Sequence, residues 1–316
     1  MHERYDDMYE AAVRYYVHDE KMESIARQLG LSRSSVSRLL SRARDEGLVR
    51  ITLAEHAGSR SAMASLLPRR FGIKVHIATV GDSVPLNTRF DRVAQMAAAL
   101  FKDSVSDGQL IGVAWGVTLS AIVGHLDRRP LKDATIVQMN GGANPESSGS
   151  PYVGAILEGL ANAFDARIVH FPVPAFFDYA ETRAAMWRER SVRRVLELQH
   201  TLDIAIFGVG SISGKVPSHV YNAGYLDADD MAQLVREGAV GDVCTVLLRE
   251  DGTYADISYN ERATGLAPEE LKRVPRRICV VADPARAAAV LGALRCGVVT
   301  DLVCDDVTAQ AVAARL

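Results

Sequence analysis

Arg33, Ser34, Ser35, Ser37, Arg38 and Arg42 stand within ten residues of one another, a set suited to nucleic acid. Guanidinium groups bond bidentately to guanine edges and pair with phosphates, and short hydroxyl side chains let a helix sink into a major groove. Arg33 and Arg38 are spaced to reach base edges, while Arg42 and Arg50 suit phosphates. A second kind of chemistry recurs further on, where glycines meet hydroxyl or amide side chains: Gly116 with Thr118, the run Gly141, Gly142, Ala143 and Asn144, and the run Gly208, Val209, Gly210 and Ser211. Glycine lets a backbone approach a ligand closely, and the free N–H groups of a following helix can hold an anion or a sugar hydroxyl. One glycine turn is ordinarily a tight turn and nothing more. Three in one domain point to a ligand pocket.

Each set needs elements to hold it. Met8, Ala11, Ala12, Tyr15 and Tyr16 recur at helical spacing over 6–17, Ile25, Ala26 and Leu29 repeat the stripe over 22–29, and Val36, Leu39, Leu40 and Ala43 do so over 33–46. Gly30 supplies a left-handed stop for the second helix, Ser32 an N-cap for the third, and Gly47 ends it. Residues 48–53 alternate as a short strand. Three helices with a tight turn and a following strand predict a winged helix-turn-helix domain over 1–55, and the polar stretch 56–61 reads as a linker. From 62 to 316, strand-like runs at 75–80, 110–114, 135–139, 167–173, 204–209, 243–248, 278–281 and 298–303 alternate with helix-like stretches. Those helices fall at 89–101, 118–126, 152–164, 182–198, 285–294 and 307–316. The alternation predicts an α/β domain with a mostly parallel sheet covered on both faces. Open sheets of this kind bind ligands at the C-terminal ends of their strands, where the glycine turns fall.

The chain has 316 residues, 48% hydrophobic and 24% charged, which excludes a disordered or fibrous protein and a single small module. A net charge of −3 gives no global field for nucleic acid. Locally the balance differs: residues 21–50 carry seven bases against three acids, and the first twenty carry six acids against two bases. An acidic first helix thus masks a basic segment. No run approaches the roughly 18 apolar residues of a membrane span, which predicts a cytoplasmic protein with no membrane partner. Cys244, Cys279, Cys296 and Cys304 form no CxxC pair and no HExxH occurs, so the thiols are expected reduced and buried, with no metal or cofactor.

The run LGLSRSSVSRLLSRARDEGLVRITL resembles the DNA-binding motif of the SorC family of bacterial sugar-responsive transcriptional regulators, relatives of the DeoR group. The likeness continues through GVAWGVTL, MNGG, FGVGS, GAVGDV and VVTDLVCDDVTAQAV, in order and over nearly the whole chain. It implies a larger domain of sugar-phosphate isomerase- and deaminase-like fold, binding a sugar, sugar phosphate or polyol effector. It further implies a homodimer or homotetramer on double-stranded operator DNA, which agrees with the need of a helix-turn-helix for two half-sites. The family's pocket motifs map onto Gly116, Thr118, Gly141, Gly142, Gly208, Gly210, Ser211 and Asp242. Asp242 can accept bonds from sugar hydroxyls or serve as a turn cap. Where the family carries a lysine, this chain has Arg286, which can hold a phosphate bidentately, but Asp283 nearby opposes an anion. A phosphorylated and a neutral effector both stay open.

Two enzymes are weighed against this reading. A sugar-phosphate isomerase-like catalyst with an accessory DNA-binding domain would need a general base, for which Asp178, Glu181, Asp242 and Asp256 are candidates without a telling spacing. A dinucleotide-binding enzyme would use the GxGxxG-like run from Gly208 with Asp227 beyond it. There Ser213 replaces the third glycine, and Gly214, Pro217 and Gly224 oppose the helix that the cofactor requires. Trp115, Trp187, Phe171, Phe176, Phe177 and Tyr179 read as core or pocket wall.

Overall fold

Ser32 accepts a hydrogen bond from the Ser35 amide at 3.1 Å and so opens helix α3 (Arg33–Asp45), the third of a bundle with α1 (His2–Tyr16) and α2 (Met22–Gln28). Their apolar stripes converge as the spacing predicts, with Met8, Ala11, Ile25, Val36 and Ala43 fully buried. Tyr15 and Tyr16 only flank this core. Gly30, at φ +66°, turns the chain after α2, and the Leu31 amide returns to the Ala26 carbonyl at 2.8 Å. Gly47, at φ +75°, ends the run after α3 in the same way. The computed structural model describes residues 2–49, 66–81, 83–145, 150–214, 218–222 and 224–316. Arg50, the linker 56–61 and all but the first two residues of the expected strand over 48–53 lie outside them.

The chain divides into two compact units, Met1–Ser59 and Arg60–Leu316. In the larger, the strands are β1 (Lys74–Ala78), β2 (Leu110–Val113), β3 (Thr135–Gln138), β4 (Arg167–Val169), β5 (Ile204–Ser211), β6 (Gly241–Val243), β7 (Val246–Leu248), β8 (Arg276–Val281) and β9 (Asp301–Asp305). Seven of them pair in parallel in the order β1-β9-β8-β5-β2-β3-β4. Strand alternation sorts the core into two layers. Ile204, Ile206, Ile278 and Val280 face one, with helices Leu86–Ser104, Val117–Gly124 and Ser150–Phe164. Ala205, Phe207, Cys279 and Val281 face the other, with helices Arg190–Gln199, Ala287–Cys296 and Asp306–Ala313. All four cysteines are buried free thiols.

Three expectations need correction. Residues 243–248 are not one strand: β6 runs antiparallel to the end of β5, and β7 turns back on β6. Cys244 and Thr245 form the two-residue turn between them at φ +50° and +67°. The helix over 182–198 is two helices, Ala180–Met186 and Arg190–Gln199, parted where Glu189 takes extended backbone at ψ 137° ahead of the second; the intervening Trp187 packs edge-on against Phe171 and Phe177. Asp227 starts a helix that periodicity missed, Ala228–Arg236, through a reciprocal capping box with Asp230.

At the N-terminal edge of the sheet, buried Asp301 bonds to His76 at 3.2 Å, Arg276 at 3.2 Å and Thr300 at 2.9 Å. Burial alone would raise its pKa, but these partners hold it down at about 2. A carboxylate depressed in the folded state stabilises above its unfolded pKa, and that contribution disappears as pH falls through the folded one. Urea titrations at successive pH values should therefore lose stability between about pH 4 and 2 in the wild type. Asp301→Asn, weaker at neutral pH, should show a flatter decline across that window; an identical slope counts against the assignment.

Candidate effector cleft and nucleic-acid face

On α3 the side away from the core exposes Arg33, Ser34, Ser37, Arg38 and Arg42. Ser35 is half-buried, its hydroxyl engaged with Ser32 and Arg38. Arg33 pairs with Glu23 at 3.0 Å and Arg42 with Glu46 at 2.5 Å. Exposed pairs of this kind are worth about 0–1 kcal/mol, so a phosphate can displace either carboxylate. Arg38 pairs with no carboxylate among the described residues.

In the larger unit, a cleft opens at the C-terminal ends of β2, β3, β5 and β8, walled by the β6–β7 hairpin. Gly116, at φ +151°, makes the sharp entry into helix Val117–Gly124. No side chain caps that helix start, and Thr118 stands beside it, packed against Gly208. Asp242 projects from β6 towards Gly210 on the paired strand. Its Oδ1 accepts from the Tyr221 hydroxyl at 2.8 Å and its Oδ2 from the Thr245 amide at 2.9 Å. Burial raises the Asp242 pKa, opposed by these two bonds and by the charge of Arg286. Tyr221 is pushed well above its ordinary value by burial and by that carboxylate.

Arg286 lies almost wholly buried, donates to the Val209 carbonyl at 2.5 Å and stands 3.9 Å from Asp283. Burial lowers its pKa against the pull of Asp283 and Asp242. Asp283 in turn accepts from the Ala285 amide at 3.0 Å, capping the short turn that carries Arg286. His219 stacks on Tyr152 with ring centres 4.4 Å apart, and burial lowers its pKa, which favours the neutral imidazole. Phe90 and Trp115 supply apolar wall.

Gly116, Thr118, Gly208, Gly210, Asp242 and Arg286 thus line one cleft. Gly141, Gly142 and Ser211 do not reach the cleft. The Gly141 amide donates to Thr264 at 3.1 Å, its carbonyl accepts from Trp115 at 2.9 Å, and a Cβ there would overlap the Pro174 carbonyl. The Gly142 amide and carbonyl are taken by Val173 at 3.1 Å and Tyr225 at 2.8 Å. Both glycines serve close packing. Ser211 turns its hydroxyl to the Val240 carbonyl at 3.4 Å. Of the four carboxylates weighed as bases, Asp242 alone lines the cleft; Asp256, for one, pairs with Arg249 at 2.6 Å on the surface.

Sequence reasoning missed Asn140, His219, Cys244 and Thr245, all of which line the cleft. Asn140 directly precedes the glycine pair, and Thr245 follows Asp242 by three residues. Asn140 Oδ1 and Thr245 Oγ1 are buried without a hydrogen-bond partner among the described residues. That pair of orphaned atoms is a signal only the folded chain carries.

A parallel sheet with a polar cleft at its strand ends, in a chain that also holds a small three-helix unit, defines an α/β ligand-binding protein. Residues 56–314 match the Sugar-bind family of sugar-binding domains, and the chain belongs to this family. It is 28% identical over 303 residues to the deoxyribonucleoside regulator of Bacillus subtilis strain 168, covering 96% of this chain and 95% of the relative. It is 23% identical to the sorbitol operon regulator of Klebsiella pneumoniae over 94% of both chains. Among solved structures, the domain of a possible sugar-binding transcriptional regulator from Arthrobacter aurescens TC1 is 42% identical, with a TM-score of 0.76, covering 82% of this chain and 100% of that one. The full-length sorbitol operon regulator SorC from Klebsiella pneumoniae shares the fold with a TM-score of 0.75 at 23% identity, over 97% of both chains.

Proposed function

We propose that this protein is a DNA-binding transcriptional regulator of a carbohydrate or polyol operon, controlled by a sugar, sugar phosphate or polyol held in the strand-end cleft. The observation that carries the reading is the presence in one chain of the sugar-binding domain and the arginine-faced helix α3. The smaller unit acts as a winged helix-turn-helix, with Arg33, Ser34, Ser35, Ser37, Arg38 and Arg42 towards operator DNA. Gly116, Thr118, Gly208, Gly210, Asp242 and Arg286 serve the effector. The larger unit is a sugar-phosphate isomerase- and deaminase-like domain used for binding. The relatives' names imply a non-enzymatic role, and Asp242, the one candidate base in the cleft, already accepts bonds from Tyr221 and Thr245. A homodimer or homotetramer in the cytoplasm would present two recognition helices to operator half-sites about 34–36 Å apart or a multiple of it, and effector binding would change their arrangement.

Fluorescence anisotropy with DNA from the region upstream of the protein's own operon tests this. The wild type should bind more tightly than to unrelated DNA, and a sugar or polyol should change that affinity. Arg38→Ala should weaken specific binding by about 10- to 100-fold, the cost of a good base contact. Unchanged affinity and salt dependence would remove α3 from the interface.

A further inference from the structure

We infer that Asn140 and Thr245 form the part of the cleft that reads the hydroxyl end of the effector, selecting a sugar or polyol that presents hydroxyl donors there rather than a phosphate. This rests on the cleft being the effector site.

Both side chains are almost completely buried, at 2% and 1% exposure, and both line the cleft. Asn140 Oδ1 and Thr245 Oγ1 have no protein partner among the described residues. Buried polar atoms are expensive to leave unpaired, so a partner from outside the chain is called for at both. Thr245 adds strain: a β-branched residue at φ +67° is a true outlier, and such outliers collect at ligand sites. The Asp242 carboxylate holds it there through the Thr245 amide.

The segment 264–266 brings the two residues to one place. Thr264 accepts from the Gly141 amide at 3.1 Å, and the Leu266 amide donates to the Met139 carbonyl at 3.2 Å, so this segment flanks Asn140. Between them, Gly265 has Cys244 and Thr245 against its Cα. A Cβ at that position would overlap the Cys244 carbonyl and stand 3.0 Å from Thr245 Oγ1. The chemistry follows from the atoms. The Asn140 carbonyl oxygen and the Asp242 carboxylate accept only, whereas Thr245 Oγ1 both donates and accepts. A ligand hydroxyl can donate to the first two and exchange bonds with the third. A phosphate dianion would meet a buried carboxylate and an acceptor that it cannot satisfy. A phosphorylated effector would carry its phosphate at its other end.

The test uses purified full-length protein with D-sorbitol, D-ribose, 2-deoxy-D-ribose, the 5-phosphates of both pentoses, and inorganic phosphate. Thr245→Val keeps the branched shape, and Asn140→Leu keeps the size. Each variant should bind the tightest wild-type probe at least about tenfold more weakly by calorimetry, as expected for a lost hydrogen bond. The ligand-free Tm should stay within about 2 °C of wild type, because neither Asn140 Oδ1 nor Thr245 Oγ1 has a hydrogen-bond partner to lose among the described residues. Wild-type affinity in both variants overturns the inference and leaves the effector reading intact. So does a fall in the ligand-free Tm of more than about 5 °C, which would reveal a structural role. Inorganic phosphate competing with the probe in the wild type but not in Thr245→Val overturns it as well. A wild type that binds none of the probes overturns the effector reading and this inference with it.

Discussion

Replacing Arg89 by alanine is expected to destabilise the larger unit by about 3–5 kcal/mol, the usual result of removing one partner of a buried ion pair. Arg89 meets Asp305 at 2.8 Å, and the two side chains are 6% and 0% exposed. Asp305 also accepts from the Thr308 amide at 2.9 Å, capping the last helix. Arg89 makes longer bonds to the carbonyls of Gly81 and Val84. Truncation leaves the carboxylate with its cap but without a countercharge in a site that water cannot reach. Differential scanning calorimetry should record a fall in Tm of about 10 °C for a unit of this size. Lys102→Ala, which breaks a more exposed pair with Asp127, should move it by no more than about 2 °C. Equal small shifts in both would refute the argument. The consequence reaches the cleft, because Arg89 fixes the start of helix Leu86–Ser104, and the next residue, Phe90, lines the cleft wall.

Gly210→Ala should abolish useful effector binding while the chain still folds. A Cβ at Gly210 would overlap Asp242 Oδ1. Asp242 can yield only by releasing the Tyr221 hydroxyl or the Thr245 amide. Hydrogen bonds to a charged group are worth about 1.5–3 kcal/mol each, so a displaced Asp242 should weaken binding of a stabilising sugar by roughly 100-fold or more. Gly208→Ala provides the contrast, since its Cβ would stand 3.3 Å from Thr118 Oγ1, a tight contact that a small shift relieves. Its loss should be about tenfold or less. If the two variants bind alike, Asp242 does not organise the cleft.

Why some of this was legible in the sequence and some was not follows from the range of the interactions. The three N-terminal helices could be read because their stripes, the Ser32 cap and the Gly30 turn act within a few residues. The parallel strands could be read because burial on both faces leaves continuous runs of Val and Ile. The β6–β7 hairpin could not, because Cys244 and Thr245 are not residues that ordinarily form a two-residue turn with positive φ at both positions. Their conformation is held by Asp242 and by the space that Gly265 leaves. Gly141 looked the same as a ligand-binding glycine, and what separates it is Thr264 and Pro174, far along the chain.

The sequence by itself determined the three N-terminal helices, the seven parallel strands, the basic face of α3 and the strand ends at which a ligand would sit, since these depend on periodicity and on residues near in the chain. Only the tertiary structure decided which glycines border the cleft, that Arg286 lies desolvated between Val209 and Asp283, and that Asn140 and Thr245 share a wall with Asp242. Those are matters of burial and of partners brought from distant segments. A carboxylate, an amide or a guanidinium takes its chemical character from what surrounds it once water is gone.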